Sequence, residues 1–550
     1  MTNKRTNKFA RLLLSLAIAA TFTTTFQTAN AAVVPAGTHL AQQQSITLNI
    51  GDNPATFDPQ KAEGAPEGDI ARQLFETLVI SDDKGHILPA AATAWEHSPD
   101  FKTWTFHLRP DAKWSNGDPV TAEDFVYGWQ RLADPKTASP YSSYLDFLKL
   151  ENADDVIQGK KPVTALGVEA KNPQTLILHL SESVPYADKL TEHYVLSPAN
   201  KKVIEKYGDA WTKPENIVGN GAFKLKSATL NEKYVLEPNT YYWDNKNTVL
   251  QKITFLPISS PATSFSRYRA GELDVSSFPI EAWKNVKKDY QDQLNIAPVL
   301  CTYYYEINNK KAPFNDVRVR KALALAFQPE IITDKILGQG QIPAYQFTPA
   351  ATDGAEKIQP AEWKNWSRAE RNAEALKLLQ QAGYNKSNPL KINLLYNTSE
   401  SHKQLALAAD SFWKKNLNGA VKVTLENQEW KTYLDTKHQG NFDVARAGWC
   451  ADYNEASTFL TYFLSNSGNN TSFYQNKDYD NLIAQAYKAN SDDERAAYYA
   501  KAEQLLNKDV PIIPVYHYVS VALIKPYVKG YSINNPIASR YLKDVYIIQR

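Results

Sequence analysis

A chain of 550 residues, 22% of them charged but with a net charge of only +2, has the composition of a folded protein too long for one hydrophobic core. The near-neutral balance, with no basic stripe, excludes a nucleic-acid surface as its main function. Beyond the N-terminal segment no apolar run is long enough to span a bilayer, and no repeat of solenoid period occurs.

The chain opens on Lys4, Arg5, Lys8 and Arg11, followed by the short apolar run Leu12 to Ala20 and the small residues Ala29-Asn30-Ala31. That order describes a cleavable export signal over residues 1–31, with the mature protein beginning at Ala32. Because Ala32 is not a cysteine, a soluble product without a lipid anchor is expected. Roughly 520 residues then remain, enough for two or three domains. Only two cysteines occur, Cys301 and Cys450, and export favours a disulfide between them over two free thiols. Closing a loop of that length is worth about 5 kcal/mol in the chain-entropy model.

Strand and helix signals alternate along the chain, which predicts an α/β architecture with mixed sheets. Trp104, Phe106 and Leu108 face one way in a period-two strand, and Thr175 to Leu180 is a second apolar strand. Proline- and asparagine-rich stretches near Pro198, Pro214 and Pro257 are candidate crossovers. Glu370 to Ala382 has helical spacing, with Ala373, Leu376, Leu378 and Leu379 on or near one face and Gly383 as the stop. His402 to Leu417 reads likewise, with Leu405, Ala408, Phe412 and Trp413 for burial. Val421 to Leu425 predicts a strand, Trp430 to His438 a helix, and Phe442 to Trp449 a second strand, together a βαβ unit. Its last strand delivers Arg446, Gly448, Trp449, Cys450 and Asp452 at its carboxyl end, where ligands bind in open α/β sheets.

Enzyme motifs are missing. There is no Gly-x-Ser-x-Gly elbow, P-loop or zinc-binding His-Glu-x-x-His helix, and Gly338-Gln339-Gly340 lacks the third glycine of a dinucleotide fingerprint. The nine histidines are scattered, none pairing at i+3 or i+4. The acids Asp82-Asp83 and Asp154-Asp155 read as solvated turns. Nothing asks for a cofactor, and the expectation is a binding protein, not an enzyme.

Five stretches, Trp114 to Tyr127, Cys301-Thr-Tyr-Tyr-Tyr-Glu306, Lys310 to Arg320, Leu425 to Lys431 and Ala445 to Glu455, stand in the order found in one family. On these residues the chain resembles the periplasmic oligopeptide-binding receptors of bacterial ABC importers, over essentially its whole mature length. The resemblance implies a monomeric, two-lobed periplasmic receptor that binds short peptides and delivers them to an inner-membrane ABC permease. Lobe one would combine 32–75, 200–300 and 520–550; lobe two would be 301–519; an additional domain would be 76–199. In Trp114 to Tyr127 a structural role is expected: Asn116-Gly117 makes a turn, and Thr121 with Asp124 caps the next helix.

A receptor for many peptides must hold what they share, namely the main chain and the two terminal charges. Asp452 matches the family carboxylate that meets the α-ammonium. Arg446 belongs to the polar wall, with a structural ion pair as its rival role. Gly448 and Cys450 would offer backbone groups to a peptide lying as an added strand, and Ala65 would do so from the opposite lobe. Glu63 matches a residue near a side-chain pocket, while Tyr141, Tyr304, Trp430, Trp449 and Tyr518 match aromatics around the cleft. The carboxylate end departs from the pattern. His402 matches a histidine that meets the α-carboxylate, but Lys437 stands where a close relative has arginine and Leu337 where it has lysine. Same-fold receptors for murein tripeptide, haem or a metal chelate are the alternative, with a hydrolase or chaperone more remote. Retention of both cysteines favours the oligopeptide receptor over the murein relative.

Overall fold

A computed structural model of the chain describes residues 34–489 and 491–549. The export signal expected over 1–31 lies outside them.

An eleven-stranded mixed sheet organises the molecule. Its centre is an antiparallel pair of long strands, Leu294–Ile307 and Ile512–Ile524. Along this pair the register slips between Pro298 and Thr302, with Leu294 to Pro298 facing Val519 to Leu523 and Thr302 to Glu306 facing Ile512 to His517. The remaining strands divide at that slip. Val275–Ser276, Ser45–Asn49, Lys252–Leu256, Lys233–Pro238 and Phe223–Thr229 follow from the 523–524 end. Val444–Cys450, Leu390–Asn397 and Val421–Gln428 follow from the 301–307 end. A separate four-stranded antiparallel sheet is built from Ala92–His97, Thr103–Leu108, Val168–Asn172 and Thr175–His179.

Local chemistry explains most of the elements. Thr103–Leu108 buries Trp104, Phe106 and Leu108 on alternate positions, as period two requires. Helix Ala122–Ala133 carries the capping box of Thr121 and Asp124, and the Gly117 N–H closes a turn onto Trp114 O at 2.8 Å. Helix Arg368–Gln381 is capped by Ser367 and Glu370. Its buried face is Arg371, Ala375 and Leu379, whereas Ala373, expected on that face, is exposed. Apolar spacing misplaced the stripe because its N-terminal member is an arginine. The Arg371 guanidinium is buried by bonds to Lys364 O, Trp366 O and the Tyr345 hydroxyl.

One further reading is refined. Strands Val421–Gln428 and Val444–Cys450 are parallel but not adjacent, because Leu390–Asn397 lies between them. The helix Trp430–His438 therefore crosses over an intervening strand. The disulfide between Cys301 and Cys450 is present, with Cys301 in mid-strand, within the register slip and directly opposite Cys450.

Candidate functional site

Strand Val444–Cys450 pairs with Leu390–Asn397 only at Val444 and Ala445. From Arg446 onward that edge has no strand partner. The Ala451 N–H donates to Leu300 O at 2.8 Å, so alternation turns the backbone groups of Ala447 and Trp449 toward Leu294–Ile307. The N–H and C=O groups of Arg446, Gly448 and Cys450 then point to the open edge. The Arg446 carbonyl is already taken, by the Tyr433 hydroxyl. Gly448 and Cys450 are exposed, and they face a cavity of about 400 Å³ between the two halves of the sheet.

The cavity is closed by contacts across the halves. Trp430, at the start of helix Trp430–His438, lies on Gly64, where a β-carbon would come within 2.9 Å of its ring. The His438 Nε2 lies 2.9 Å from a Glu63 carboxylate oxygen. Tyr453 packs against Tyr144 and Tyr186, and the Tyr487 hydroxyl donates to Phe147 O at 3.1 Å.

Asp452 lies just beyond the strand end, its side chain only 10% exposed. Its N–H donates to the Thr458 hydroxyl at 2.9 Å, and its Oδ1 lies 3.2 Å from His193 Nε2. The Val195 N–H donates to His193 Nδ1, which leaves the ring hydrogen on Nε2 for Asp452. A flat stack fixes this imidazole: Tyr141 covers it at 5.2 Å and Trp449 covers Tyr141 at 6.3 Å, both within 8° of parallel. Asp452 is thus a positioned carboxylate whose partner is a ring N–H.

Arg446 marks the other end of the open edge. It donates to the Tyr518 hydroxyl at 3.0 Å and to Asn397 Oδ1 at 3.4 Å, and its guanidinium lies over the Tyr303 ring. Among the described residues no carboxylate oxygen lies within 4.0 Å of it, and its Nε is buried without a partner. Asp52, from the opposite half, is near enough to feel its charge; burial, and then Glu429, push that carboxyl up to about 6. The expected rival role of Arg446, a structural ion pair, is therefore not what the geometry shows.

The cavity brings together Glu63, Ala65, Tyr141, Tyr304, Trp430, Lys437, Arg446, Gly448, Trp449, Cys450, Asp452 and Tyr518. It does not bring in His402, which lies behind the wall against Tyr303. Burial first, and then Arg446, hold its imidazole well below the usual range, so it is neutral. Lys437 is on the wall but engaged: Glu306, fully buried, lies 2.9 Å from its Nζ and also accepts from Tyr462 and Thr471. Burial opposes that ammonium, but the Glu306 carboxylate together with Tyr433 and Tyr304 outweighs it, so the group is held well above its usual range. Leu337 is core, 5% exposed and away from the cavity. The residues missed in the sequence are His193, Arg72, Asp69, His438 and Arg540. Of these only His438, closing the helix after Lys437, carried a positional signal. A larger cavity of about 530 Å³, between the hairpin at 79–89 and the segment 530–544, lies outside this cleft and shares Arg540 with it.

Glu67 backs the Gly64 contact, and burial raises its carboxyl to about 7, with the Ala55 N–H opposing and Glu63 adding to the rise. A carboxyl raised above its usual 4.5 binds its proton more tightly in the native state than in the unfolded chain. Its stabilising effect is full below that value and is lost as pH climbs through about 7. Urea midpoints measured from pH 4 to 8 should therefore fall over this window by something of the order of 3 kcal/mol in stability. Glu67→Gln should flatten that fall, and identical pH profiles for variant and wild type would rule the assignment out.

Among the described residues no helix is long and apolar enough to cross a membrane. The chain is 55% identical over 523 residues to the periplasmic oligopeptide-binding protein OppA of Salmonella typhimurium, covering 95% of this chain and 96% of that protein. The crystal structure of Haemophilus influenzae OppA in complex with RPPGFSPFR, 53% identical, superposes with a TM-score of 0.92 over 93% of this chain and all of that one. The murein tripeptide-binding protein MppA of Escherichia coli, 46% identical, superposes at 0.91 with the same coverage. The unliganded open form of MppA reaches only 0.65, over 94% of this chain and 99% of that one. Equal identity with unequal superposition identifies the arrangement seen here as the closed one. Residues 86–471 match the family described as bacterial extracellular solute-binding proteins, family 5 Middle, and the chain belongs to that family.

Proposed function

We propose that this protein is a periplasmic receptor that closes around a short peptide and delivers it to an ABC permease. One observation carries the reading. Among the described residues an unpaired strand edge at Gly448 and Cys450 runs between a carboxylate, Asp452, and a cation without an ion-paired acid, Arg446. An extended peptide presents complementary groups in the same order: α-ammonium, main-chain donors and acceptors, and α-carboxylate. Side chains would enter a space large enough for water to re-pair around them. The nine-residue ligand of the Haemophilus influenzae relative supports this class of solute.

In this reading the lobes are 32–75 with 200–300 and 520–550, and 301–519, with the additional domain at 76–199. The register slip between Pro298 and Thr302 supports a hinge there, because each half of the sheet attaches on its own side of it. The Cys301–Cys450 disulfide anchors the ligand-bearing edge at that hinge. Lys437 and Leu337 leave the carboxylate to Arg446 alone, so the grip is firmer at the amino end.

A murein peptide is the second reading, favoured by the close superposition on MppA. Mass spectrometry of ligand extracted from the purified protein separates the two. A mixture of short linear peptides with free termini is expected. A single branched murein peptide would replace the first reading with the second, and a non-peptide solute would overturn both.

A further inference from the structure

The cleft wall opposite Asp452 and Arg446 holds two more arginines. Arg72 comes from the last turn of helix Ala65–Leu74 and Arg540 from the C-terminal segment. Gln73 binds the two segments together: its amide donates to Arg540 O at 2.8 Å, and its side-chain carbonyl accepts from Leu542 N–H at 2.9 Å. Both arginines line the cavity.

Among the described residues neither guanidinium makes a hydrogen bond or has a carboxylate oxygen within 4.0 Å. The Nε of each is buried without a partner. Arg72 lies over the Tyr194 ring, which fixes its direction without satisfying its donors. The acids nearest by charge are Asp69, which acts on Arg540, and Glu192, whose carboxylate accepts from Ser81 at 2.6 Å and Tyr541 at 3.3 Å. A buried donor left unmade costs about 1–3 kcal/mol, more when it is charged. Two such groups on one cavity wall form a site that lacks its acceptor.

Charge matching gives the acceptor's sign. A zwitterionic peptide uses Asp452 and Arg446, Lys437 is matched by Glu306, Glu63 lies against His438, and the remaining wall charges set one acid, Asp69, against two arginines. Nothing in a neutral side chain answers Arg72 and Arg540. We propose that these two arginines form a subsite for an acidic side chain of the bound peptide, gripped in the two-point manner guanidinium offers a carboxylate. The inference rests on the peptide-receptor reading. Arg540 also borders the larger neighbouring cavity.

The test is calorimetry on the full mature protein freed of ligand, with alanine tripeptides carrying Glu or Gln at each position in turn. At one position Glu should bind at least about tenfold tighter than Gln, a difference of about 1.4 kcal/mol. In the R72Q/R540Q double variant that ratio should collapse toward one, with each single variant losing part of it. Equal affinity for Glu and Gln at every position in the wild type, or a ratio that survives in the double variant, would overturn the subsite. The wild-type series needs no variant to fold. Absence of binding by every tripeptide would instead bring down the receptor reading, a result distinct from binding without preference.

Discussion

Replacing Asp452 by Asn should weaken binding of a free-amine peptide by about a hundredfold, while leaving an N-acetylated peptide nearly indifferent to the change. Asparagine keeps the shape: its carbonyl still accepts from His193, and the backbone bond to Thr458 is untouched. What disappears is the charge. Removing one partner of a buried pair costs about 3–5 kcal/mol, because the other is left buried and uncompensated; the lower figure is about a hundredfold in Kd. The wall limits any substitute, since the His193 ring is held in place by Val195 and by the Tyr141–Trp449 stack. Calorimetry with both peptides on both proteins forms a double-mutant cycle. If the losses from acetylation and from Asp452→Asn simply add, the ammonium and the carboxylate do not meet.

That half of the site was legible in the sequence because it is local. Strand periodicity placed Arg446 to Cys450 at a carboxyl end, and the helix Trp430–His438 matched its expected limits. The opposite wall was not legible. Arg72, His193 and Arg540 come from three distant segments, and only the sheet topology and the Gln73 bonds bring those segments together. Nothing local marks His193, because its partner is an aspartate 259 positions away in sequence (452 − 193). The state of a matched residue was equally hidden. Lys437 and His402 occupy family positions, yet one charge is consumed by Glu306 and the other is suppressed by burial. A motif fixes where a side chain stands; its neighbours decide whether its charge is free.

The same reasoning makes Gly448 the most sensitive uncharged position in the cleft. Its N–H and C=O point to the open edge beside Arg446, and a β-carbon there would sit 3.2 Å from the Tyr518 hydroxyl and 3.3 Å from Arg446 Nη2. Alanine demands a small adjustment of those two side chains. Valine adds two methyl groups on the strand face that holds the Tyr518 hydroxyl and the Arg446 guanidinium, perpendicular to the plane in which a peptide backbone would pair. Gly448 has no positive φ, so the backbone itself tolerates the change, and valine is a good strand residue. Gly448→Val should therefore leave thermal stability near wild type while reducing peptide affinity by about a hundredfold, since the Arg446 guanidinium that would meet the ligand's carboxylate is pushed from its place. Gly448→Ala should fall between the two. A valine variant that still binds peptides at wild-type affinity would mean that Arg446 does not hold the ligand's carboxylate, even if Asp452 still holds its amino terminus.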